Sequence, residues 1–187
     1  MNKPFFNSLK NHFETLEAKL NQMDSIIGDG DHGTTLLKGL NAIIRSDLPP
    51  EKAFRVEAGG ASGSLFSILI GAIDDALDNY NSFGKLLTNA ANKISMIGNA
   101  KEGDKTMLDA IIPAAKAALE SPNNSIKNAS LASKKGMNNT LNMPARKGRA
   151  KNVENAGVGH IDPGAFSSSE ILTFFYNDYR LKNEKTV

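Results

Sequence analysis

The sequence contains no cysteine, which excludes disulfide bonds and thiolate metal sites and is consistent with a reducing compartment. It also has no apolar run approaching eighteen residues, and its N-terminus carries no apolar segment of the signal-peptide type. Charge of one sign is not in excess, because the net charge is only +2. We therefore expect a cytoplasmic protein, with no membrane and no nucleic acid among its partners.

Strand patterns, internal repeats and low-complexity tracts are absent as well. The apolar residues recur instead at steps of three and four, which is the period of an amphipathic helix. With 187 residues and 40% hydrophobic composition, the chain is long enough for one domain with a substantial core. The sequence therefore predicts an all-α protein that forms a single domain over residues 1–187.

The apolar periodicity predicts eight helices. The first covers residues 4–23 and has an apolar stripe from Phe5 to Met23, with His12 outside the stripe in solvent. The others are predicted at residues 33–46, 51–58, 65–77, 83–97, 107–119 and 123–139, and in a last segment that begins at Pro163 with Asp162 as its N-cap. Pro113 predicts a kink in the sixth helix.

Up-and-down order would bring every second connection to the same end of such a bundle. These connections are residues 24–33, 59–64, 98–106 and 146–164, and together they contain most of the unusual residues of the chain. The sequence therefore predicts one functional rim.

The first of these connections contains Asp24 and the run GDGDHG at residues 28–33. Three ionised carboxylates at this spacing would repel one another, so the folded state needs a cation among them. Glycines allow the turns that bring the carboxylates together, and oxygen ligands without cysteine favour Mg²⁺, as one ion or two. Because Mg²⁺ commonly shares carboxylates with substrate phosphates, this segment predicts a metal–nucleotide site.

Other interpretations of the segment are less consistent with the residues. The glycines match G-x-G-x-x-G, but the dinucleotide motif needs a preceding strand, and two of its variable positions are aspartate here. An EF-hand loop begun at Asp29 would place Thr34 at the turn glycine and Leu40 at the bidentate glutamate. Helix caps alone would account for one aspartate and one or two glycines only.

The remaining connections supply groups suited to phosphate. The run GGASG at residues 59–63 leaves little side chain in the way, and Ser62 offers a hydroxyl. Lys105, Arg146 and Arg149 can balance phosphate charge, although residues 146–149 taken alone are more usually a solvated charge run or a weak nucleic-acid patch. Residues 103–106 are not a P-loop, and Asp104 or Thr106 is the predicted cap of the next helix.

Two further side chains in these connections have more than one interpretation. His32 can orient an aspartate or line a base pocket, and Met107 can contact an adenine face or fill the core.

Five motifs occur in order: MDSIIGDGDHG at 23–33, GGASG at 59–63, GDKTMLD at 103–109, ARKGRA at 145–150 and GHIDPGA at 159–165. Together they closely resemble the nucleotide-binding (DhaL) subunits of dihydroxyacetone kinases. The resemblance implies an eight-helix antiparallel up-and-down barrel, with ADP or ATP at one end held through two Mg²⁺ on Asp24, Asp29 and Asp31. It implies charge stabilisation by Arg149 beside these aspartates in catalysis. The implied nucleotide contacts are His32, Gly33, Thr34, Thr35, Ala61, Ser62, Gly98, Met107, Arg149, Asp162, Pro163 and Gly164.

The resemblance also implies partners. In the similar phosphotransferase-system type, a phosphohistidine subunit (DhaM) rephosphorylates bound ADP, which then passes the phosphoryl group to dihydroxyacetone on a separate subunit (DhaK). The chain departs from its relatives at residues 55–58, Ser64 and residues 151–155. Two alternatives therefore stay open: a non-catalytic Mg–nucleotide module that binds a regulatory protein, and a subunit of an ATP-dependent kinase for another small sugar. The sequence leaves a homo-oligomer open too.

Overall fold

The computed structural model describes residues 2–184, and within that range it contains nine α-helices and no β-strand. The helices are α1 (Lys3–Glu14), α2 (Glu17–Ile27), α3 (His32–Arg45), α4 (Pro50–Ala58), α5 (Gly60–Asp78), α6 (Phe83–Gly98), α7 (Leu108–Glu120), α8 (Ser125–Asn139) and α9 (Pro163–Glu184). The predicted all-α class is confirmed.

The prediction of one helix over residues 4–23 is wrong, because the chain breaks between α1 and α2. The Thr15 hydroxyl donates a hydrogen bond to the carbonyl oxygen of His12 at 2.7 Å, and the amide of Leu16 bonds Phe13, three residues back, at 3.0 Å. Threonine hydroxyls compete with the regular helical ladder in this way, and a tighter turn shifts the axis. The apolar spacing continues across the break, so periodicity alone did not reveal it.

The helices form a closed ring: α1 and α2 both pack against α3, each later helix packs against the next, and α9 returns to α1 and α2. With α1 and α2 counted as one wall, the ring has the eight walls that were predicted. Its core is rich in phenylalanine: Phe6, Phe13, Phe54, Phe83 and Phe175 are fully buried, and the last two rings lie 5.1 Å apart. Their apolar surface, with that of the buried leucine, isoleucine and alanine side chains, drives closure of the ring.

One described helix, α5, is long and apolar enough to cross a membrane by composition, and 56% of its most apolar window is buried inside the protein. It begins earlier than predicted, so that Ala61, Ser62 and Ser64 belong to its first turns instead of a loop. His12 is only partly solvated, with 33% of its side chain exposed, whereas full solvation was predicted. Its Nε2 lies 2.9 Å from the carboxylate of Glu170, and its ring lies 5.4 Å from that of Phe174, both on α9.

Candidate functional site

Asp24 organises the turn between α2 and α3. Its Oδ2 accepts hydrogen bonds from the amides of Gly30 and Asp31 at 2.9 and 3.1 Å. Gly28 must lack a side chain, because a Cβ there would collide with the Asp24 carboxylate. Gly30 has a φ of +82°, a backbone conformation that favours glycine. Gly28 and Gly30 thus allow the tight turn that the sequence predicted.

The turn brings the three aspartates together. One carboxylate oxygen from each of Asp24, Asp29 and Asp31 lies within 4.8 Å of the other two. Asp24 is half-buried, whereas Asp29 and Asp31 are exposed at the mouth of a cleft. Oxygen donors alone, with open positions on the solvent side, fit Mg²⁺, which retains waters and shares its coordination with phosphates.

Arg149 reaches the same cluster from the connection between α8 and α9. Its Nη2 lies 2.8 Å from Oδ2 of Asp29, and both side chains are largely exposed. An exposed ion pair contributes little to stability, so this arginine can exchange Asp29 for a stronger anion at small cost.

The N-terminus of α3 is capped from α2, which the sequence did not predict. Oδ1 of Asn21 accepts hydrogen bonds from the amides of Gly33 and Thr34, at 2.8 and 3.1 Å. The Thr34 hydroxyl donates to Glu17 at 2.9 Å, so this side chain faces α2. A Cβ on Gly33 would meet the carbonyl oxygen of Glu17. Linear spacing carried no signal for this cap, since Asn21 lies twelve residues before Gly33.

His32 is buried, and its Nε2 lies 2.8 Å from the hydroxyl of Ser167 on α9. Burial lowers the pKa of His32, although Asp24, Asp31 and Asp29 each act to raise it. A neutral imidazole held by a hydroxyl on another helix joins α3 to α9 at the cleft wall. Of the two interpretations of His32, the structure therefore favours a wall of the pocket over an orienting group for an aspartate.

All four predicted connections meet around one cleft of about 680 Å³, with a smaller pocket of about 190 Å³ that shares its walls. The volume is in the range of small-molecule and cofactor sites. The predicted site residues that line these cavities are Asp24, Asp29, Asp31, His32, Thr35, Ala61, Ser62, Gly98, Met107, Arg149, Asp162, Pro163 and Gly164. Gly33 and Thr34 are not among them. Lys147 lines both cavities and was not singled out from the sequence.

The N-terminus of α5 is open toward this cleft. Gly59 and Gly60 have φ of +62° and +63°, and no atom lies within 4 Å of where their Cβ atoms would be. No acidic residue occupies the first turn, and no side-chain hydrogen bond caps it among the described residues. A 19-residue helix therefore presents free amides and the positive end of its dipole to whatever fills the cleft.

The other two predicted phosphate cations are placed differently. Lys105 is 1% exposed, and its Nζ donates to four backbone carbonyl groups, so it is not available to a phosphate. Arg146 lines a separate surface depression with Asn99 and Lys101. Of the three predicted cations, Arg149 alone lines the larger cavity, and Lys105 adds only buried atoms to the wall of the smaller one.

The helix caps at the rim are partly as predicted. Oδ2 of Asp162 accepts from the amide of Ala165 at 2.7 Å, which confirms the N-cap of α9. The Thr106 hydroxyl accepts from the amide of Leu108 at 3.2 Å, whereas the Asp104 carboxylate bonds the amide of Lys101 instead of the helix. Asp109, inside α7, accepts from the amides of Gly103 and Thr106.

A family model described as the DAK2 domain matches residues 50–177 of the chain. The ADP-binding subunit DhaL of PEP-dependent dihydroxyacetone kinase 2 from Listeria innocua is 31% identical over 173 residues, which is 80% of each chain. Dihydroxyacetone kinase from Citrobacter freundii is 32% identical over 166 residues. L-erythrulose 1-kinase from Mycolicibacterium smegmatis is 28% identical over 179 residues.

The chain spans about a third of the length of the last two enzymes, 30% and 31% respectively. The crystal structure of the C. freundii kinase in complex with AMP-PNP and Mg²⁺ matches 94% of this chain, with a TM-score of 0.71 and 26% identity, and 33% of its own chain is covered.

Proposed function

Because the chain belongs to the DAK2 domain family, we propose that it is the nucleotide-binding subunit of a kinase that phosphorylates dihydroxyacetone. The observation that carries this proposal is the joint position of two features at one cleft. The oxygens of Asp24, Asp29 and Asp31 cluster within 4.8 Å, and the uncapped N-terminus of α5 opens toward the same cavity. Metal ligands and a phosphate-binding helix end together suit a magnesium nucleotide.

Different residues of the cleft would bind the metal and the phosphates. Asp24, Asp29 and Asp31 would hold Mg²⁺, and we propose two ions. Bound Mg²⁺ supplies neutralisation of the negative charge on the phosphate oxygens. The first-turn amides of α5 and the Ser62 hydroxyl would receive the phosphates.

The nucleoside would lie deeper in the cleft. Thr35, Gly98 and Met107 line the side of the cavity where it would pack. The N-terminus of α9, from Asp162 to Gly164, and the Ala61 position close the site from the other walls. Gly33 and Thr34 would not contact the nucleotide directly, because their amides and the Thr34 hydroxyl are hydrogen-bonded to α2. They would contribute by fixing the position of the first turn of α3.

Arg149 would stabilise charge on the transferred phosphoryl group. Its guanidinium lies 2.8 Å from Asp29, beside the residues that would hold the metal. From this position it would reach the phosphates, which an arginine can contact with two N–H groups at once. His32 is not proposed as a base, because it is buried and its ring hydrogen-bonds both the Ser167 hydroxyl and the backbone of Pro163.

We further propose a relay. A phosphohistidine protein of the DhaM type would rephosphorylate ADP on this subunit, and the terminal phosphoryl group would then move to a hydroxyl of dihydroxyacetone on a DhaK-type subunit. The likeness to a DhaL subunit of a PEP-dependent kinase supports this scheme. The chain alone is then inactive as a kinase.

A second candidate is a subunit of an ATP-dependent kinase for another small ketose. The likeness to an L-erythrulose 1-kinase favours it, at 28% identity over 179 residues. The two schemes differ in how the nucleotide is held, since a relay retains ADP and an ATP-dependent kinase exchanges it. A nucleotide-dependent regulatory partner remains a third candidate, which would bind nucleotide without transfer.

Mass spectrometry and metal analysis of freshly purified protein test the proposal. We expect retained ADP with about two Mg²⁺ per chain, and loss of both in Asp29→Asn, because a neutral amide is a poor magnesium ligand. Asp75→Asn is the matched control, since Asp75 is an exposed aspartate of α5 outside the cleft.

Wild-type protein that arrives empty but exchanges added Mg·ATP would favour the ATP-dependent candidate. Binding without transfer in the presence of both partner subunits would favour the regulatory one. No nucleotide binding under any condition would refute all three.

A further inference from the structure

Lys105 is a buried cation that the proposed function does not use. It lies between α6 and α7, is 1% exposed, and has a φ of +60°, which is unusual for a residue with a side chain. Its Nζ donates hydrogen bonds to the carbonyl oxygens of Gly157 and His160 at 2.6 Å each. It also donates to those of Thr140 at 2.9 Å and Met143 at 3.1 Å.

These four carbonyl groups all belong to the connection between α8 and α9, residues 140–162. We call them, with the Lys105 ammonium, the carbonyl cage. An ammonium has three hydrogens, so four acceptors at these distances require at least one shared hydrogen bond. The cage holds together two stretches of the connection, residues 140–143 and 157–160. Arg149 lies between these stretches in the sequence.

The connection has no long helix, and backbone hydrogen bonds hold it together with the cage: the amide of Gly159 bonds the carbonyl oxygen of Leu141 at 2.8 Å, and the amide of Arg146 bonds that of Asp104 at 3.0 Å. It contains only short 3₁₀ turns, at Thr140–Asn142, Ala150–Asn152 and Glu154–Gly157. Its backbone bonds include Ala145 to Ala156 at 2.8 Å. Its apolar contacts are a small cluster around Ile27, separate from the main core, and Ile161, which packs against the main core.

Two opposing effects act on the charge of the Lys105 ammonium. Burial lowers the pKa of Lys105, while the charge of Asp162 raises it. A buried charge of this kind persists only where hydrogen bonds replace its lost hydration. Removal of the ammonium would leave buried carbonyl oxygens without their partner, which is more costly than the net value of the bonds.

We propose that Lys105 is a positioning residue of the cleft: the carbonyl cage fixes the connection and thereby places Arg149 and the start of α9 for contact with the ligand. The cage fastens the third rim connection to the fourth. The placement of Arg149 for contact with the ligand rests on the proposed function, whereas the fixing of the connection does not.

The cage itself can be tested in the unaltered protein by ¹H–¹⁵N NMR of lysine ammonium groups. We expect one ammonium resonance that exchanges slowly with water, and its assignment to Lys105 by its absence in Lys105→Arg. Exchange of the Lys105 ammonium as fast as that of Lys116, which is exposed, would overturn the cage. This measurement does not depend on nucleotide binding by any form of the protein.

The effect on the connection can be tested by hydrogen exchange of Lys105→Met, with Lys116→Met as the matched control. Met keeps the length of the side chain and removes the charge. We expect exchange in peptides of residues 140–162 to rise at least tenfold, with peptides of α4 and α5 unchanged. Equal protection of residues 140–162 in both variants would overturn the proposal.

A double-mutant cycle on Mg·ADP affinity tests the positioning role. Arg149→Met alone should weaken binding several-fold, whereas in the Lys105→Met background it should have much less effect, because the arginine is already displaced. Full additivity of the two effects would mean that Lys105 acts on folding alone, and would overturn the positioning role. Absence of nucleotide binding in the wild type would refute the proposed function, while the NMR and exchange results would still decide on the cage.

Discussion

Asp162 caps α9, and its pKa, like that of Asp109, is raised above the ordinary range of an aspartate. Burial raises its pKa to about 7, although the amide of Ala165 and the charge of Lys105 lower it. Asp109 and Asp24 act in the raising direction as well. In the protein without ligand, the acid form of Asp162 therefore persists to near-neutral pH.

This pKa predicts how stability changes with pH in metal-free, nucleotide-free protein. Between the unfolded pKa of about 3.9 and the folded pKa, the native state binds the extra proton, so the free energy of unfolding falls as pH rises. Below that window the contribution is fully present, and above pH 7 it is lost. Asp162→Asn keeps a cap acceptor and removes the titration, so at pH 8 it should be more stable than wild type by roughly 2–4 kcal/mol. Urea unfolding at pH 4 and pH 8 checks this.

The pH 4 measurement serves as the internal control, because Asp162 is then protonated in the native state and about half protonated in the unfolded chain, so little of the titration free energy has been lost. The same difference between variant and wild type at both pH values would contradict a raised pKa. The metal must be removed with EDTA throughout, since the cleft aspartates are close enough to couple to Asp162 through Asp24.

Side-chain roles in the cleft were predicted unevenly from the sequence. The three aspartates, Arg149 and Ser62 reach the cleft as expected, because local turns set by glycine fix their positions. Lys105 does not reach a phosphate position as expected, because its place depends on carbonyl groups up to 55 residues away in the sequence. Asn21 was missed for the same reason. Contacts between distant segments leave no periodic mark in a sequence.

At the scale of helices, the closest packing is between α7 and α8. Pro113 lies four residues after Asp109 and has no amide hydrogen, so the carbonyl oxygen of Asp109 loses its helical partner. Gly136 of α8 lies directly against that oxygen, where any Cβ would collide with it. The chain continues through Pro113 as one helix, and the two residues together allow the backbones to approach.

Gly136→Ala should therefore destabilise the protein in spite of the better helix propensity of alanine. The added methyl group meets rigid backbone, and overpacking of this kind costs about 1–3 kcal/mol or more. We expect a corresponding fall of several degrees in the thermal midpoint, measured by circular dichroism. Gly71→Ala is the matched control in α5, since its Cβ would meet only the flexible carboxylate end and the Cβ of Glu51. A Gly136→Ala midpoint no lower than that of Gly71→Ala would contradict the packing argument.

Helix ends were harder to predict than helix faces. The buried faces of α3, α6 and α7 follow the apolar periodicity directly. The break at Thr15 and the early start of α5 at Gly60 depend instead on hydrogen bonds and on the positive φ of Gly59. Periodicity reports which side of a helix is apolar, and it says little about where the backbone ladder stops.

For the whole molecule, ring closure turns four separate connections into one site. No single connection was decisive by itself in the sequence, but alternation of helix direction placed all four at the same end, as predicted. The cleft walls come from α2, α3, α5, α6, α7 and α9, so a ligand bound there contacts most of the ring. Binding should then stabilise the ring as a unit.

Magnesium and nucleotide should accordingly raise the unfolding temperature together and not separately. At a ligand concentration of 100 times its Kd, binding to the native state alone adds about 2.7 kcal/mol. For a chain of 187 residues this corresponds to an upward shift of about 5–11 °C, measured by scanning calorimetry. ADP with EDTA, and Mg²⁺ without ADP, should each give a small fraction of that shift, because the aspartate cluster repels phosphates until metal neutralises it. Asp29→Asn should abolish the joint effect, and an equal shift by ADP without metal would show that the nucleotide binds independently of the aspartates.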